Sequence, residues 1–166
     1  LNTFCEHVDE MQDTLGRQVL VENPSNYLAF KKADMSETDF MNSLADRTAC
    51  GILLDINNIY VSAHNLGYDP KDYINSVKRK HVRQFHLAGY EEVDVAGETL
   101  YIDTHGRKVY DNVWALYAHA LDRFGDIPTL IEWDTDLPEL PVLVEEAHKA
   151  DAMRHTVLTE LKHAAE

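Results

Sequence analysis

Ile52-Leu53-Leu54-Asp55 is a run of apolar residues that ends on a carboxylate, and the chain repeats this form three more times. Val19-Leu20-Val21 ends at Glu22, Val82 to Phe85 ends at His86, and Thr129-Leu130-Ile131 ends at Glu132. Short unbroken apolar runs read as strands buried on both faces, the habit of a parallel sheet. In parallel α/β sheets and barrels, ligands bind at the carboxyl ends of the strands. Three carboxylates and an imidazole are therefore expected to converge on one rim. A charge buried there without a partner is costly, so the pattern points to a bound cation.

Helical patterns separate these runs. Residues 3–15 carry Phe4, Val8, Met11 and Leu15 at helical spacing, with Gly16 as a stop. A strand over 18–22 breaks at Asn23-Pro24, and Ser36-Glu37-Thr38-Asp39 resembles a capping box opening a helix with Phe40, Met41 and Leu44 inward. After a strand over 51–56, Asp69-Pro70 caps a short helix that runs to about Lys78. The third strand spans 82–87, and a long connection over 88–110 holds a hairpin around Ala96-Gly97. Asp111 is expected to cap a helix stopped by Gly125, followed by a strand over 128–133. The last helix, from about 138 to 163, has Leu140, Leu143, Val144, Ala147 and Val157 on its apolar side.

The resulting order, α-βα-βα-βα-βα, specifies an α/β fold with a parallel sheet and helices outside it. Four βα units are half of a TIM-type (β/α)8 barrel, which typically takes ~250 residues. The expectation is a single domain over 1–166: the last four units of such a barrel, with the N-terminal half absent. Its open sheet edges, at 18–22 and 128–133, would pair with another chain or with the missing half.

Composition narrows the partners. With 29 acidic and 15 basic residues the net charge is −14, which argues against nucleic acid and against anionic membranes. No apolar stretch approaches the ~20 residues of a membrane span, and no signal peptide is evident. Cys5 and Cys50 form no metal or redox motif, so reduced thiols in a cytoplasmic protein are expected. The first residue is Leu and the chain opens inside a helical pattern, which reads as a fragment boundary. Neither GxGxxG nor GxxxxGK[ST] occurs.

Around the four strand ends lie further donors. Pro24 forces Asn23 extended and fixes Glu22 at the rim; the plainer role for Glu22 is a capping or hydrogen-bonded carboxylate. Strand alternation would put Asp55 and Asn57 on one side, with Asn58 at the loop start; the plainer role is a turn closing the strand. His86 would be an ordinary hydrogen-bonded histidine if it stood alone. Asp103-Thr104-His105 lies on the long connection, where i and i+2 side chains could grip one ion together. Glu132 and Asp134 share a side: Glu132 is the better ligand, and Asp134 is a substrate contact or proton carrier. Trp133 faces the other way. His64 is placed on a rim-side loop as an outer candidate, and Glu139, Glu145 and Glu146 read as a solvated helix face. Four carboxylates and two imidazoles exceed what one catalytic zinc takes; mixed ligation of this kind suits two or more iron or manganese ions.

At these motifs the chain resembles the DUF692 (UPF0276) family of multinuclear non-heme iron-dependent oxidative enzymes. The matching stretches are Leu20-Val21-Glu22-Asn23-Pro24-Ser25, Leu53 to Ser62, Phe85-His86-Leu87-Ala88-Gly89, Ile102-Asp103-Thr104-His105 and Leu130-Ile131-Glu132-Trp133-Asp134. The resemblance implies a barrel related in shape to xylose isomerases, two or three iron ions (with manganese or zinc as the alternatives), and dioxygen as co-substrate. It implies oxidation of cysteine, and sometimes other residues, in ribosomally made precursor peptides, with a small partner protein recruiting the peptide leader. Carried over by motif, Glu22 would bridge two metals and Asp55, His86 and Glu132 would be ligands. Asp103 and His105, with Asn57 or Asn58, would hold another iron. The family's first four strands and their histidines have no counterpart here, which leaves two other readings open. One is a divalent-metal isomerase or hydrolase on the same scaffold; the other is an inactive half-barrel that serves as a binding or structural chain.

Overall fold

In a computed structural model, residues 1–164 are described. The elements run α1 (Asn2–Leu15), β1 (Leu20–Glu22), α2 (Glu37–Thr48), β2 (Gly51–Asp55), α3 (Ile56–Leu66), α4 (Pro70–Ser76), a 3-10 turn (Arg79–His81), β3 (Val82–Leu87), β4 (Glu91–Val95), β5 (Glu98–Ile102), α5 (Asp111–Phe124), β6 (Thr129–Ile131) and α6 (Leu140–Ala164). Four strands form one parallel sheet in the order β1-β2-β3-β6. This is a mixed α/β architecture built on a parallel sheet, as the alternating pattern predicts. No helix is long and apolar enough to cross a membrane, among the described residues.

The apolar runs form the centre of the sheet because both of its faces are covered. Ile52, Leu54, Val82, Phe85 and Leu87 are all buried, as are Leu44, Ile59, Ile74, Tyr117 and Leu121 from the packing helices. Each such side chain contributes about 1.5–3 kcal/mol on burial. Ser36 caps α2 as its sequence predicts, its hydroxyl accepting from the Asp39 N–H at 3.0 Å. Asp69 likewise caps α4 through the Lys71 N–H at 2.8 Å. Cys5 and Cys50 are both free and buried.

The hairpin β4–β5 turns at Ala96 and Gly97, with φ of 56° and 89°, the paired left-handed conformation that matches strand twist. It leans on α3. Asn65 brackets Tyr101, donating to its carbonyl and accepting from its N–H, each at 2.9 Å.

Several expectations are corrected. The second strand ends at Asp55, and Ile56 to Leu66 is helix, so Asn57 and Asn58 occupy a first helical turn rather than a strand end and loop. His64 lies in the last turn of that helix, not on a loop. Asp111 is the first helical residue of α5; Tyr110 holds the cap position without a side-chain bond. The last strand is only Thr129–Ile131. On α6, Leu140 and Val144 are exposed, whereas Glu146 is buried and accepts the Val109 N–H at 2.9 Å. That N–H belongs to the connection after β5, and bonding it compensates the burial of Glu146.

Gly89, just past β3, makes room for the same connection. A Cβ there would collide with the carbonyl oxygens of Arg107 and Lys108. Gly89→Ala should therefore destabilise the fold by about 1–3 kcal/mol, the usual cost of overpacking, read as a lower urea midpoint with an unchanged slope. A midpoint equal to that of the unaltered chain would show that the connection does not press on Gly89.

Candidate metal centre

Parallel register carries the four strand-end residues to one place. Asp55 and His86 are direct neighbours across β2 and β3. Glu22 ends β1, and Glu132 follows β6 with its N–H still bonded to the Leu87 carbonyl at 2.9 Å. Ligand atoms of Glu22, Asp55, His86 and Glu132 all lie within 4.8 Å of one another. His86 Nδ1 is 2.8 Å from Glu132 Oε2 and 3.5 Å from Glu22 Oε1.

A second group of three, His105, Glu132 and Asp134, meets the same 4.8 Å limit. His105 Nδ1 stands 3.5 Å from both Glu132 Oε2 and Asp134 Oδ2. Glu132 thus belongs to both groups, whereas Glu22 belongs to the first only. Asp134 joins the donors, and at 61% side-chain exposure it is the most open of them. Asp103 stands against the far side of His105, with Oδ1 2.6 Å from Nε2, and accepts from Asn57 Nδ2 at 2.7 Å. Trp133 does turn away, into a cleft of about 520 Å³ between β6 and α6.

The backbone is shaped around these donors. His105 has φ of 48°, the left-handed region that a non-glycine residue adopts at a cost of about 1–2 kcal/mol. Its carbonyl is held by the Asp134 N–H at 2.8 Å, which clamps the two donor loops together.

Asn23 was not among the predicted site residues. It is 1% exposed and brackets Asp55: Oδ1 accepts from the Asp55 N–H at 2.8 Å and Nδ2 donates to the Asp55 carbonyl at 3.0 Å. Asn58 Nδ2 returns a bond to the Asn23 carbonyl at 3.0 Å. An amide directly before Pro24, beside a strand-end acid, was the only signal for this role.

Four buried polar atoms at the centre have no hydrogen-bond partner: Asp55 Oδ2, Asn57 Oδ1, Asn58 Oδ1 and His105 Nε2. His105 Nε2 is close to Asp103 but out of line for a ring N–H bond. Orphaned buried acceptors require an explanation, and bare carboxylate and amide oxygens in the residues around two imidazoles fit a metal ion. Asn57 reaches Asp103, whereas Asn58 is tied to Asn23 and caps against Asp55 Oδ1 through its N–H at 2.6 Å.

Burial pushes the Asp55 carboxyl up to about 8, opposed by the Asn58 N–H and the His105 charge. For His105, burial disfavours the cation, but Asp103, Asp55 and Glu132 outweigh it and raise the ring to about 9. His86 is raised too: burial opposes its charge, and Glu22 and Glu132 prevail. A raised acid destabilises the fold as pH climbs from 3.8 towards about 8. The contribution of a raised histidine is present below 6.5 and is lost on the way to about 9. Both effects lower the stability of the metal-free protein with rising pH. A cation needs both groups deprotonated, so its binding releases protons. The melting-temperature gain from added ferrous or manganous ion should therefore widen from pH 6 to pH 8; a gain that shrinks over that range would exclude these two groups as ligands.

A family model described as "RiPP precursor modification enzyme MbnB/TglH/ChrH" matches residues 1–155. A UPF0276 protein of Rhizobium meliloti (strain 1021) is 46% identical over 154 residues, covering 92% of this chain and 50% of that protein. One from Acaryochloris marina is 46% identical over 151 residues, covering 91% and 53%. Another from Vibrio parahaemolyticus is 42% identical over 161 residues, covering 97% and 56%. The chain spans about half the length of these curated relatives. On its motifs and on this match along its length, the chain belongs to the MbnB/TglH/ChrH (DUF692, UPF0276) family of RiPP precursor modification enzymes.

Proposed function

We propose that the centre holds iron, at least two ions, and that the protein to which this half corresponds uses dioxygen to oxidise cysteine in a ribosomally made precursor peptide. The observation that carries this reading is the sharing of Glu132 between two donor groups. A carboxylate with an ion on either side is the bridging arrangement of di-iron and di-manganese sites. Glu22, Asp55 and His86 complete one group. His105 and Asp134, with Asp103 and Asn57 behind the imidazole, complete the other. Asp134, the most exposed, doubles as the group that carries protons to and from substrate.

The donor set supports iron or manganese over zinc or an iron–sulfur cluster, because it is carboxylate and imidazole without thiolate. Cys50 lies at the start of β2, the opposite end from Asp55, so a thiolate at the centre would come from the peptide. Iron held by these residues would supply the one-electron chemistry that dioxygen and a substrate thiol need. The chain's residues hold the ions, exclude water on the Asp55 side and leave the Asp134 side open. A precursor peptide as substrate follows from the family description; the small recruiting partner protein rests on the resemblance alone. The four parallel strands are read as half of a (β/α)8 barrel, with β1 and β6 as its open edges.

Metal analysis of the complete protein, purified without oxygen, tests the reading. It should contain about two ions of iron per chain, and Glu132→Gln should lower this to about one or fewer, with loss of oxygen-dependent peptide oxidation. Turnover that runs under argon with manganese would instead make the metal a Lewis acid and overturn the oxidative reading.

A further inference from the structure

Four of the eight tyrosines pack together, one of them on α3, which carries Asn57, and one on β5, which Asp103 follows. Tyr90 stacks on Tyr101 and on Tyr110, each at 4.4 Å between centroids and 24° and 27° between planes. His64 stacks on the far face of the assembly against Tyr101, at 3.5 Å and 5°. Tyr60 flanks both Tyr90 and Tyr101, at 5.7 and 6.1 Å. The aromatic cluster in the ordinary core packs differently. There Phe85 meets Tyr117 at 84° and Phe124 at 57°, the edge-on contacts that fill space well.

The stack neighbours the centre's donors along the chain at two points and reaches the surface at a third. Tyr101 is two residues from Asp103 on the same connection, and Tyr60 is one turn of α3 beyond Asn57, which bonds Asp103. Tyr90 is 1% exposed, whereas Tyr110 is 37% exposed. Packing alone would be served by phenylalanine. The chain instead keeps phenols and bonds two of them: Asn112 Nδ2 donates to the hydroxyls of half-buried Tyr60 and buried Tyr90, at 2.5 and 3.2 Å.

We propose that this stack is an electron relay that drains oxidising equivalents from the metal centre when dioxygen reacts there without peptide. The proposal rests on the iron and dioxygen reading above. A phenol gives one electron to the oxidised centre and its proton to solvent, through half-buried Tyr101 or exposed Tyr110, and becomes a neutral phenoxyl radical. Near-parallel rings in contact pass the vacancy on to Tyr110. A small thiol in solution then returns an electron and a proton, and pairs of thiols end as disulfides. Four thiols so oxidised supply the electrons and protons that take one dioxygen to two waters. The benefit is protection of His86 and His105, the imidazoles of the centre.

The test uses the complete protein loaded with ferrous iron without oxygen, then mixed with dioxygen in the absence of peptide and frozen. Electron paramagnetic resonance should show a phenoxyl radical. Tyr90→Phe should remove it, and peptide mapping should then show more oxygen addition at His86 and His105. Tyr110→Phe, at the surface, should have the same effect on mapping with no risk to the core. Both variants should keep the iron content and the initial rate of peptide oxidation. Iron-loaded protein that consumes dioxygen without a phenoxyl signal overturns the relay alone, as does a Tyr90→Phe variant with unchanged radical and unchanged damage. Protein that binds no iron overturns the relay and the proposed function together.

Discussion

The carboxyl of Asp55 is fully buried, with one oxygen bonded to a backbone N–H and the other to nothing. An ionised carboxylate in that position costs several kcal/mol unless a counter-charge meets it. The surrounding structure does not relieve the cost by letting the acid move. Asn23 grips its backbone on both sides, and the first turn of α3 begins directly after it. A side chain pinned this firmly in an unfavourable state is a sign that something absent from the polypeptide completes it. The neighbours agree: His86 and His105 face carboxylates, and two asparagine oxygens lie bare beside them.

Sheet register turns this local constraint into a centre. Because Asp55 and His86 are paired across parallel strands, neither can slip without breaking the ladder that buries Leu54 and Phe85. Hydrophobic burial therefore fixes the positions of polar atoms. The second group is held by other means, through loops rather than strands. His105 stays in its left-handed conformation because Asp134, Thr135 and Glu146 bond the connection on which it sits or its immediate continuation. The donors of the first group are thus set by strand register, and those of the second by hydrogen bonds between loops.

The strand skeleton was legible because its signal is local. The strand over 82–87 is read to the residue, and the hairpin follows from Ala96-Gly97. Helix α3 was hidden, since Ile56-Asn57-Asn58-Ile59-Tyr60-Val61 mixes amides with β-branched and aromatic residues of low helical propensity. Capping by Asp55 and packing against the sheet and β5 outweigh that propensity. The convergence of Glu22, Asp55, His86 and Glu132 was readable from their equivalent places at strand ends. The sharing of Glu132 with His105 was not, because it depends on the path of a loop over 103–110. Buried Glu146 was missed for the same reason: only the fold brings the Val109 N–H to it.

Charge completes the picture along the strand direction. At the starts of the strands, Asp46 is surrounded by Lys78, Lys80 and His81 at 2.6, 2.7 and 2.9 Å, and Lys78, then Lys80, hold its carboxyl well below the usual range. Those cations satisfy an acid far from the centre. At the strand ends the balance reverses: Glu22, Asp55, Asp103, Glu132 and Asp134 gather around two imidazoles, with no lysine or arginine among their ion pairs. Arg107, two residues beyond His105, pairs with Glu91 and Asp136 rather than with any of these acids. Had the rim acids served only stability, a lysine or arginine there would have balanced them directly. Leaving them bare produces a negative potential at the rim, the setting in which a cation would be drawn to these donors.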